Sequence, residues 1–418
     1  MTIVTPVAKR TPRSLGVAAL MVVAGFATVV GCGADDEQPL PAAGSFEQWD
    51  SAGVHIAQSS GVTLQTPLPW VLDSVPDLEI GTIAGEEPYQ FSNISSVVAM
   101  PDGDIVVVDR GSLEARWFDG RGTFLRAVGG PGRGPGEFVR AEVVTQFQPD
   151  SLVVFDLMQR RLTSISLDGQ WVRTQPGGEP LQSLLRGRPA VAGAGLVLFL
   201  SGDGSCASDH DGVCEEPLFV HVVDPGAGSS DTIAVTSRRH FRTTEFGQWP
   251  LFLTIPFDPV VSAATDGEGF LMTTGEEFEI WGFGRDGALE RVIRIDHPPL
   301  VLKEDELETT IREYPRGAYE VDDIRRMFGQ MDIRDTKPSF QALRVDSLGW
   351  IWAERFRMDE ELPAEWVVFD PSGRARGVMT LPSELEVHDI GEHFLLGVAA
   401  DEMGVEYVRR YPLDRDGP

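Results

Sequence analysis

The chain has 418 residues, of which 42% are apolar and 24% are charged. This apolar content is enough for a large folded core and excludes a mainly disordered protein. The formal net charge is −29. Such a surface repels nucleic acid and anionic lipid headgroups, so we expect no nucleic-acid partner.

The first 31 residues have the order of an export signal. Three basic residues come first, and the apolar run over residues 15–30 that follows is short for a membrane span. The run ends in Val-Val-Gly before Cys32, which resembles a bacterial lipoprotein signal. The resemblance implies cleavage after residue 31, lipidation of Cys32 and a cell-envelope location, with the lipid as the membrane contact. An ordinary signal peptide or a single membrane anchor is the alternative.

The stretch that follows Cys32 is polar and rich in Gly, Pro and Ala. We therefore predict a tether over residues 32–53 and a folded domain over residues 54–418. A short strand is expected at Val54–Ala57, and the first clear strand is Leu78–Ala84.

From Phe91 to Phe138, apolar runs alternate with turn signals. Pro101-Asp102-Gly103 and Asp119–Gly122 have the residues that tight turns need, because Pro presets φ and Gly adopts positive φ. Four short antiparallel strands joined by hairpins are predicted here. The Gly-rich stretch 129–136 serves as a connector to the next unit rather than as a phosphate loop, since no Gly-Lys-Ser/Thr follows.

This four-stranded unit recurs with a period of about 40 to 50 residues, which is typical of propeller blades. The predicted units A to F span residues 94–128, 143–174, 190–235, 260–294, 340–380 and 384–411. Unit F has three clear strands, and Leu78–Ala84 is left over at the front. We predict that this segment is the outer strand of unit F and closes the ring. The fold class is therefore all-β, a six-bladed β-propeller.

A small helical insertion is predicted at residues 302–334, between the late blades D and E. Two stretches, 303–314 and 321–331, place apolar residues on one helical face. We expect these faces to pack against the propeller, with Leu307 and Ile311 buried. A lid or a partner-docking face is the alternative.

Unit A resembles an NHL-type repeat. The motifs are Pro101-Asp102-Gly103, Val107-Val108-Asp109, Arg116–Asp119 and the Gly-rich stretch that ends at Phe138. The chain resembles the bacterial six-bladed β-propeller lipoproteins of the NHL and TolB-like type, which also tend to carry a late helical insertion. That family is mostly without assigned activity, so no catalytic residues are implied. Relatives of the broad fold bind proteins or peptides, or act as metal-dependent lactonases and lyases.

Two further cysteines, Cys206 and Cys214, lie close together in an acidic loop. In an exported protein they are predicted to form a disulfide that pins this loop. Asp203, Asp209 and Asp211 lie in the same loop, but their spacing does not fit a calcium-binding loop. No cofactor is expected, with calcium as the alternative.

No catalytic motif is present, and the seven histidines show no metal-ligand spacing. Candidate channel residues are Asn93, Glu142 and Asp258, scattered over three units. The sequence favours a monomeric binding or scaffold module for a protein or peptide partner. The alternative is a metal-dependent lactonase or lyase with its site at the central channel, so an enzymatic activity stays undecided.

Overall fold

In the computed structural model, the described residues are 44–416. This range excludes residues 62–63, 149–150, 177–187, 194–195, 203–211, 225–228, 247–248, 266, 315–319 and 360. Cys32, the predicted lipidation site, and Cys206, one half of the predicted disulfide, lie outside the described residues. Cys214 lies in a described strand, and its side chain is outside the description.

Four short strands precede the first blade. They are β1 (Ser45–Ser51), β2 (Val54–Ser60), β3 (Val71–Leu72) and β4 (Leu78–Ile80). Residues 45–51 were placed in the tether by the sequence, so the sheet structure begins earlier than predicted.

Blades A to C follow in chain order. Blade A has β5 (Ile94–Ala99), β6 (Ile105–Asp109), β7 (Glu114–Phe118) and β8 (Phe124–Gly129). Blade B has β9 (Ala141–Gln148), β10 (Ser151–Asp156), β11 (Arg161–Ser166) and β12 (Trp171–Pro176). Blade C has β13 (Arg188–Gly193), β14 (Leu196–Gly202), β15 (Gly212–Asp224), β16 (Ser229–Phe246) and β17 (Trp249–Thr254).

Blades D to F complete the propeller. Blade D has β18 (Ser262–Thr265), β19 (Gly269–Thr273), β20 (Glu279–Gly284) and β21 (Leu289–Asp296). The insert region has β22 (Leu300–Val301), α1 (Glu304–Glu313), α2 (Val321–Phe328) and β23 (Thr336–Lys337). Blade E has β24 (Phe340–Val345), β25 (Ile351–Arg355), β26 (Ala364–Phe369) and β27 (Ala375–Leu381), and blade F has β28 (Leu385–Ile390), β29 (Phe394–Ala400) and β30 (Glu406–Asp414).

Each blade is a separate antiparallel sheet, and the first strands of neighbouring blades lie side by side. Apolar side chains fill the space between blades. Phe118 of blade A packs with Leu396 of blade F, and Trp117 packs with Val154 of blade B. Because both faces of a blade are buried in this way, the stacked blades supply the core that one blade cannot.

The N-terminal strands run along the outer edges of three blades, and we call residues 45–80 the N-terminal belt. β1 and β2 form a hairpin, and β2 pairs in parallel with β21 of blade D. Leu68 N donates to Val378 O of blade E at 2.9 Å. β3 and β4 both pair with β30 of blade F. The predicted ring closure is confirmed, over Leu78–Ile80.

A buried aspartate at the end of the second strand organises blade A and blade B. Asp109 accepts the backbone N–H groups of Asn93 at 2.9 Å, Ser112 at 2.9 Å and Ser92 at 3.2 Å. Burial by itself would raise the pKa of Asp109, but these N–H groups hold it below its usual value. Asp156 accepts equivalent bonds in blade B. The aspartate of the repeat motif is therefore structural.

The helical insert is tied down at its base and packed on its apolar face. β22 and β23 pair to close it. Ile311, Ile324 and Phe328 are buried together with Ile255, which precedes blade D. The burial predicted for Ile311 is confirmed, whereas Leu307 is half-buried at the margin of the same cluster.

We expect the substitution Ile324→Ala to lower the free energy of unfolding by about 2–4 kcal/mol, because it leaves a cavity under α2. Chemical denaturation would measure the change. Val301→Ala is the control, since Val301 lies at the base of the insert and is 68% exposed. Equal losses for the two variants would show that the insert face is not packed as described.

Candidate functional site

The loops of the propeller open on two faces. Turns that join the first strand to the second, or the third to the fourth, lie on one face, which we call the hairpin face. Strand direction alternates within a blade, so the loops between second and third strands lie on the opposite face with the connectors between blades. We call it the connector face. It includes loops 110–113, 157–160, 274–278, 356–363 and 401–405, the connectors 81–93, 130–140 and 382–384, and the insert.

Two of the three candidate channel residues come together on the connector face. Glu142 is buried, and its carboxylate pairs with Arg110 at 2.5 Å and with Arg140. Arg110 also donates to Asn93 Oδ1 at 3.1 Å. The third candidate, Asp258, lies elsewhere, with its carboxylate 3.7 Å from Arg334 of the insert.

Single-residue β-bulges interrupt five of the six first strands. The residues left out of the ladder are Ser95, Glu142 and Gln341, each the second residue of its strand, Ala190 in β13, and His388, the fourth residue of β28. A bulge leaves one residue out of the ladder and turns its side chain away from the regular alternation. Four of these five residues have polar side chains.

Side chains also join the first strands of neighbouring blades, which share no backbone ladder. In each case a side chain of one blade bonds a backbone group of the next. The bonds are Ser95 Oγ to Ala141 O at 3.1 Å, Leu343 N to Ser262 Oγ at 3.0 Å, Arg344 Nη2 to Val387 O at 3.1 Å, and Ala99 N to Asp389 Oδ2 at 2.9 Å. They satisfy backbone groups that face the channel and hold the ring together.

Blade F contains several buried ionisable groups. Burial, together with the nearby Arg344 guanidinium, lowers the pKa of His388 to about 3, so this imidazole is neutral at neutral pH. Its Nε2 atom lies 3.8 Å from Glu386 Oε1 and has no hydrogen-bond partner. Burial raises the pKa of Asp389, and also that of Glu406 at the connector-face end of β30.

The described residues offer no ready metal site. Within them, no group of three His, Cys, Asp or Glu is placed to hold a metal ion. Asp203, Asp209 and Asp211, the calcium alternative, lie outside the described residues. In the same part of the chain, no helix is long and apolar enough to cross a membrane.

Loops on the connector face of blades D to F carry exposed apolar side chains. Met403 is 71% exposed, Leu362 is 53% exposed and Val260 is 48% exposed, and Met358 lies near Leu362 in the same loop. The same loops carry exposed acidic side chains. The exposed carboxylates are Glu276, Glu277, Asp359, Glu361 and Glu402. We call these apolar and acidic residues together the acidic methionine surface.

The fold and these sites define a six-bladed β-propeller with a helical insert between blades D and E. The DUF5128 family model, a six-bladed β-propeller, matches residues 84–176. This match covers the connector into blade A and ends with the last strand of blade B. No sequence among the curated proteins matches the chain.

Solved structures resemble the chain in fold. A DUF4221 family member from Bacteroides vulgatus is 10% identical with a TM-score of 0.48, over 82% of this chain and 98% of that one. A Bacteroides fragilis protein described as exported is 10% identical with a TM-score of 0.45, over 86% and 99%. A gluconolactonase from Xanthomonas campestris is 14% identical with a TM-score of 0.39, over 78% and 87%. Likenesses at this level carry no argument about activity.

The sequence did not single out Arg344, His388 or Asp389. Their roles depend on contacts between neighbouring blades, and such contacts leave no spacing pattern in one chain. The acidic methionine surface did leave a signal in the sequence Met-Asp-Glu-Glu-Leu at residues 358–362 and in Asp-Glu-Met at residues 401–403. These short runs could have been recognised as equivalent loops of two consecutive blades.

Proposed function

We propose that this protein is an exported, lipid-anchored β-propeller that binds a protein or peptide partner on its connector face. The observation that carries the proposal is the acidic methionine surface. Its apolar side chains extend from loops of three consecutive blades, although a soluble protein normally keeps such residues scattered. Methionine side chains adapt to varied partners, and they are frequent at surfaces that bind peptides.

The anchor is part of the same proposal and rests on the sequence. Val-Val-Gly before Cys32, after a basic segment and an apolar run, supports cleavage and lipidation at Cys32. An oxidising compartment would also favour the disulfide between Cys206 and Cys214. A lipid anchor would hold a monomeric propeller at the membrane surface and leave its loops free to bind.

A metal-dependent lactonase or lyase is the alternative function. Such an enzyme would need a cation in the channel, and the described residues provide no group of three ligands for one. The channel wall of blade F instead places a neutral imidazole beside a carboxylate. For this reason we favour binding over catalysis.

A photo-crosslinking amino acid at two positions of blade E tests the proposal. Position 358 lies on the connector face, and position 348 lies in a turn of the same blade on the hairpin face. Met358 is 36% exposed and Leu348 is 44% exposed, so both side chains are accessible. In intact cells that express the full chain, we expect a discrete adduct from position 358 and none from position 348.

The two positions separate the possible outcomes. An adduct from position 348 alone would move the binding site to the hairpin face. Absence of an adduct from both positions, and from a further connector-face probe at Met403, would contradict a binding function for this face.

A further inference from the structure

The acidic residues of the acidic methionine surface are mostly without counter-ions. Among the described residues, Glu277, Glu361 and Glu402 form no ion pair. Asp359 accepts a hydrogen bond from the backbone N–H of Glu361 at 2.8 Å, which shapes the loop without neutralising it. Glu277, Glu361 and Glu402 therefore present negative charge that no cationic group among the described residues compensates.

Two arginines, Arg357 in the blade E loop and Arg334 in the insert, are already engaged. Arg357 lies 3.2 Å from Glu354 Oε1 and donates to Leu362 O at 2.7 Å, so it is turned into its own loop. Arg334 pairs with Glu276 at 2.9 Å and lies near Asp258. Neither arginine is available to the exposed carboxylates Glu361 and Glu402.

The apolar part of the surface is adaptable. Met358, Leu362 and Met403 have unbranched or flexible side chains that can repack around a partner. They flank runs of acidic residues in two loops on neighbouring blades, at residues 358–362 and 401–403. Apolar side chains flanked by acids suit a segment with one apolar face and one basic face.

The net charge of the chain indicates which class of partner can bind the acidic methionine surface. A net charge of −29 disfavours anionic lipid surfaces and nucleic acid, and it disfavours a second copy of the same acidic face. A cationic segment would be attracted over a long range and then held by apolar contacts. A cationic amphipathic segment therefore matches both parts of the surface.

We infer that the acidic methionine surface binds a basic amphipathic segment of a partner protein. This inference rests on the proposed binding function and names the chemistry of the partner. The carboxylates of blades D to F pair with lysine or arginine side chains of the segment, and the methionines and Leu362 cover its apolar face. Arg334 and Arg357 stay in their internal contacts.

The test uses the full chain and synthetic helical peptides of about 18 residues, which form five helical turns. One fluorescent peptide is built of Lys and Leu, and a matched peptide of the same pattern is built of Glu and Leu. Fluorescence anisotropy should show saturable binding of the Lys–Leu peptide, and no binding of the Glu–Leu peptide. Binding should weaken as salt is raised, because exposed charges are screened.

Two double variants locate the bound peptide. Glu361→Gln with Glu402→Gln should weaken binding about tenfold, the order expected from the loss of two surface charge contacts. Met358→Ser with Met403→Ser should also weaken it. Glu392→Gln with Leu348→Ser is the control, because both residues lie in turns of the hairpin face and are exposed. Unchanged melting temperatures would show that all three variants are folded.

Several results would overturn the inference. They are failure of the Lys–Leu peptide to bind, equal binding by the charge variant and the wild type, or preference for the Glu–Leu peptide. A dimer in sedimentation that the methionine variant abolishes would assign the surface to a second copy instead. In each case the crosslinking at position 358 still reports separately on whether this face binds any partner.

Discussion

Replacing Arg415 with alanine should lower the free energy of unfolding by about 3–5 kcal/mol. The guanidinium lies 2.8 Å from Asp346, whose side chain is fully buried, and 4.6 Å from the ring centre of Trp70. Removing it leaves a buried carboxylate without its cation. Arg415 also donates to Gly391 O and Glu392 O, so the end of β30 would lose its attachment to a turn of blade F.

Arg410→Ala is the matched control for this prediction. Arg410 lies in β30, which ends just before Arg415, and pairs with Asp77 at 2.9 Å, but both partners are exposed enough for water to screen the pair. We expect a loss of about 1 kcal/mol or less. Urea denaturation of both variants measures the difference, and comparable losses would show that the Asp346 ion pair is not specially important.

Acidification should destabilise the protein through His388. The folded-state pKa of about 3 lies below the unfolded value, so between these values the unfolded chain binds a proton that the folded chain does not. The stability from the neutral imidazole is complete above about pH 6.5 and falls as the pH drops toward 3. Between pH 7 and pH 4.5 the loss should be about 3 kcal/mol.

The measurement is the difference between the wild type and His388→Gln across this pH range. A difference is needed because burial raises the pKa values of Asp389 and Glu354, and those groups favour the folded state at lower pH. The difference should shrink on acidification. His393→Gln, at an imidazole that is 79% exposed, is the control for the substitution itself. Parallel curves for His388→Gln would contradict a buried neutral histidine.

The blades could be predicted because their information is local. Asp119 accepts the N–H groups of Arg121 and Thr123, and Gly122 adopts a φ of +80°. Such turns depend on four or five consecutive residues, so hairpins can be counted from the sequence. Ring closure followed from that count, since the predicted strand Leu78–Ala84 was the one without a hairpin partner.

The N-terminal belt could not be predicted in the same way. A strand was expected at Val54–Ala57. Its partner could not be predicted, because β2 pairs in parallel with β21 and no tight turn joins two parallel strands. Nothing local in residues 45–51 distinguishes an edge strand from a tether.

The candidate site was predicted only in part, for a related reason. Asn93 and Glu142 were named from their residue types, and their meeting depends on Arg110, a residue that no motif marks. His388 and Arg344 come from different blades and meet across a boundary that the repeat pattern does not describe. Side-chain contacts between blades are set by twist and register, which single-sequence patterns do not encode.

The N-terminal belt makes completion of the molecule a late event in its synthesis. Arg409 donates to the Glu79 carboxylate, and the two residues are 330 positions apart in the chain. The N-terminal strands therefore cannot complete their pairing until the last strand has been synthesised. Contacts of such long sequence separation form slowly. In the meantime β2 and β4 and the outer strands they cover are open templates for pairing with other chains. A nascent chain that stops before Val408 has no partner for Ile80 and cannot close the ring, however well its earlier blades have formed.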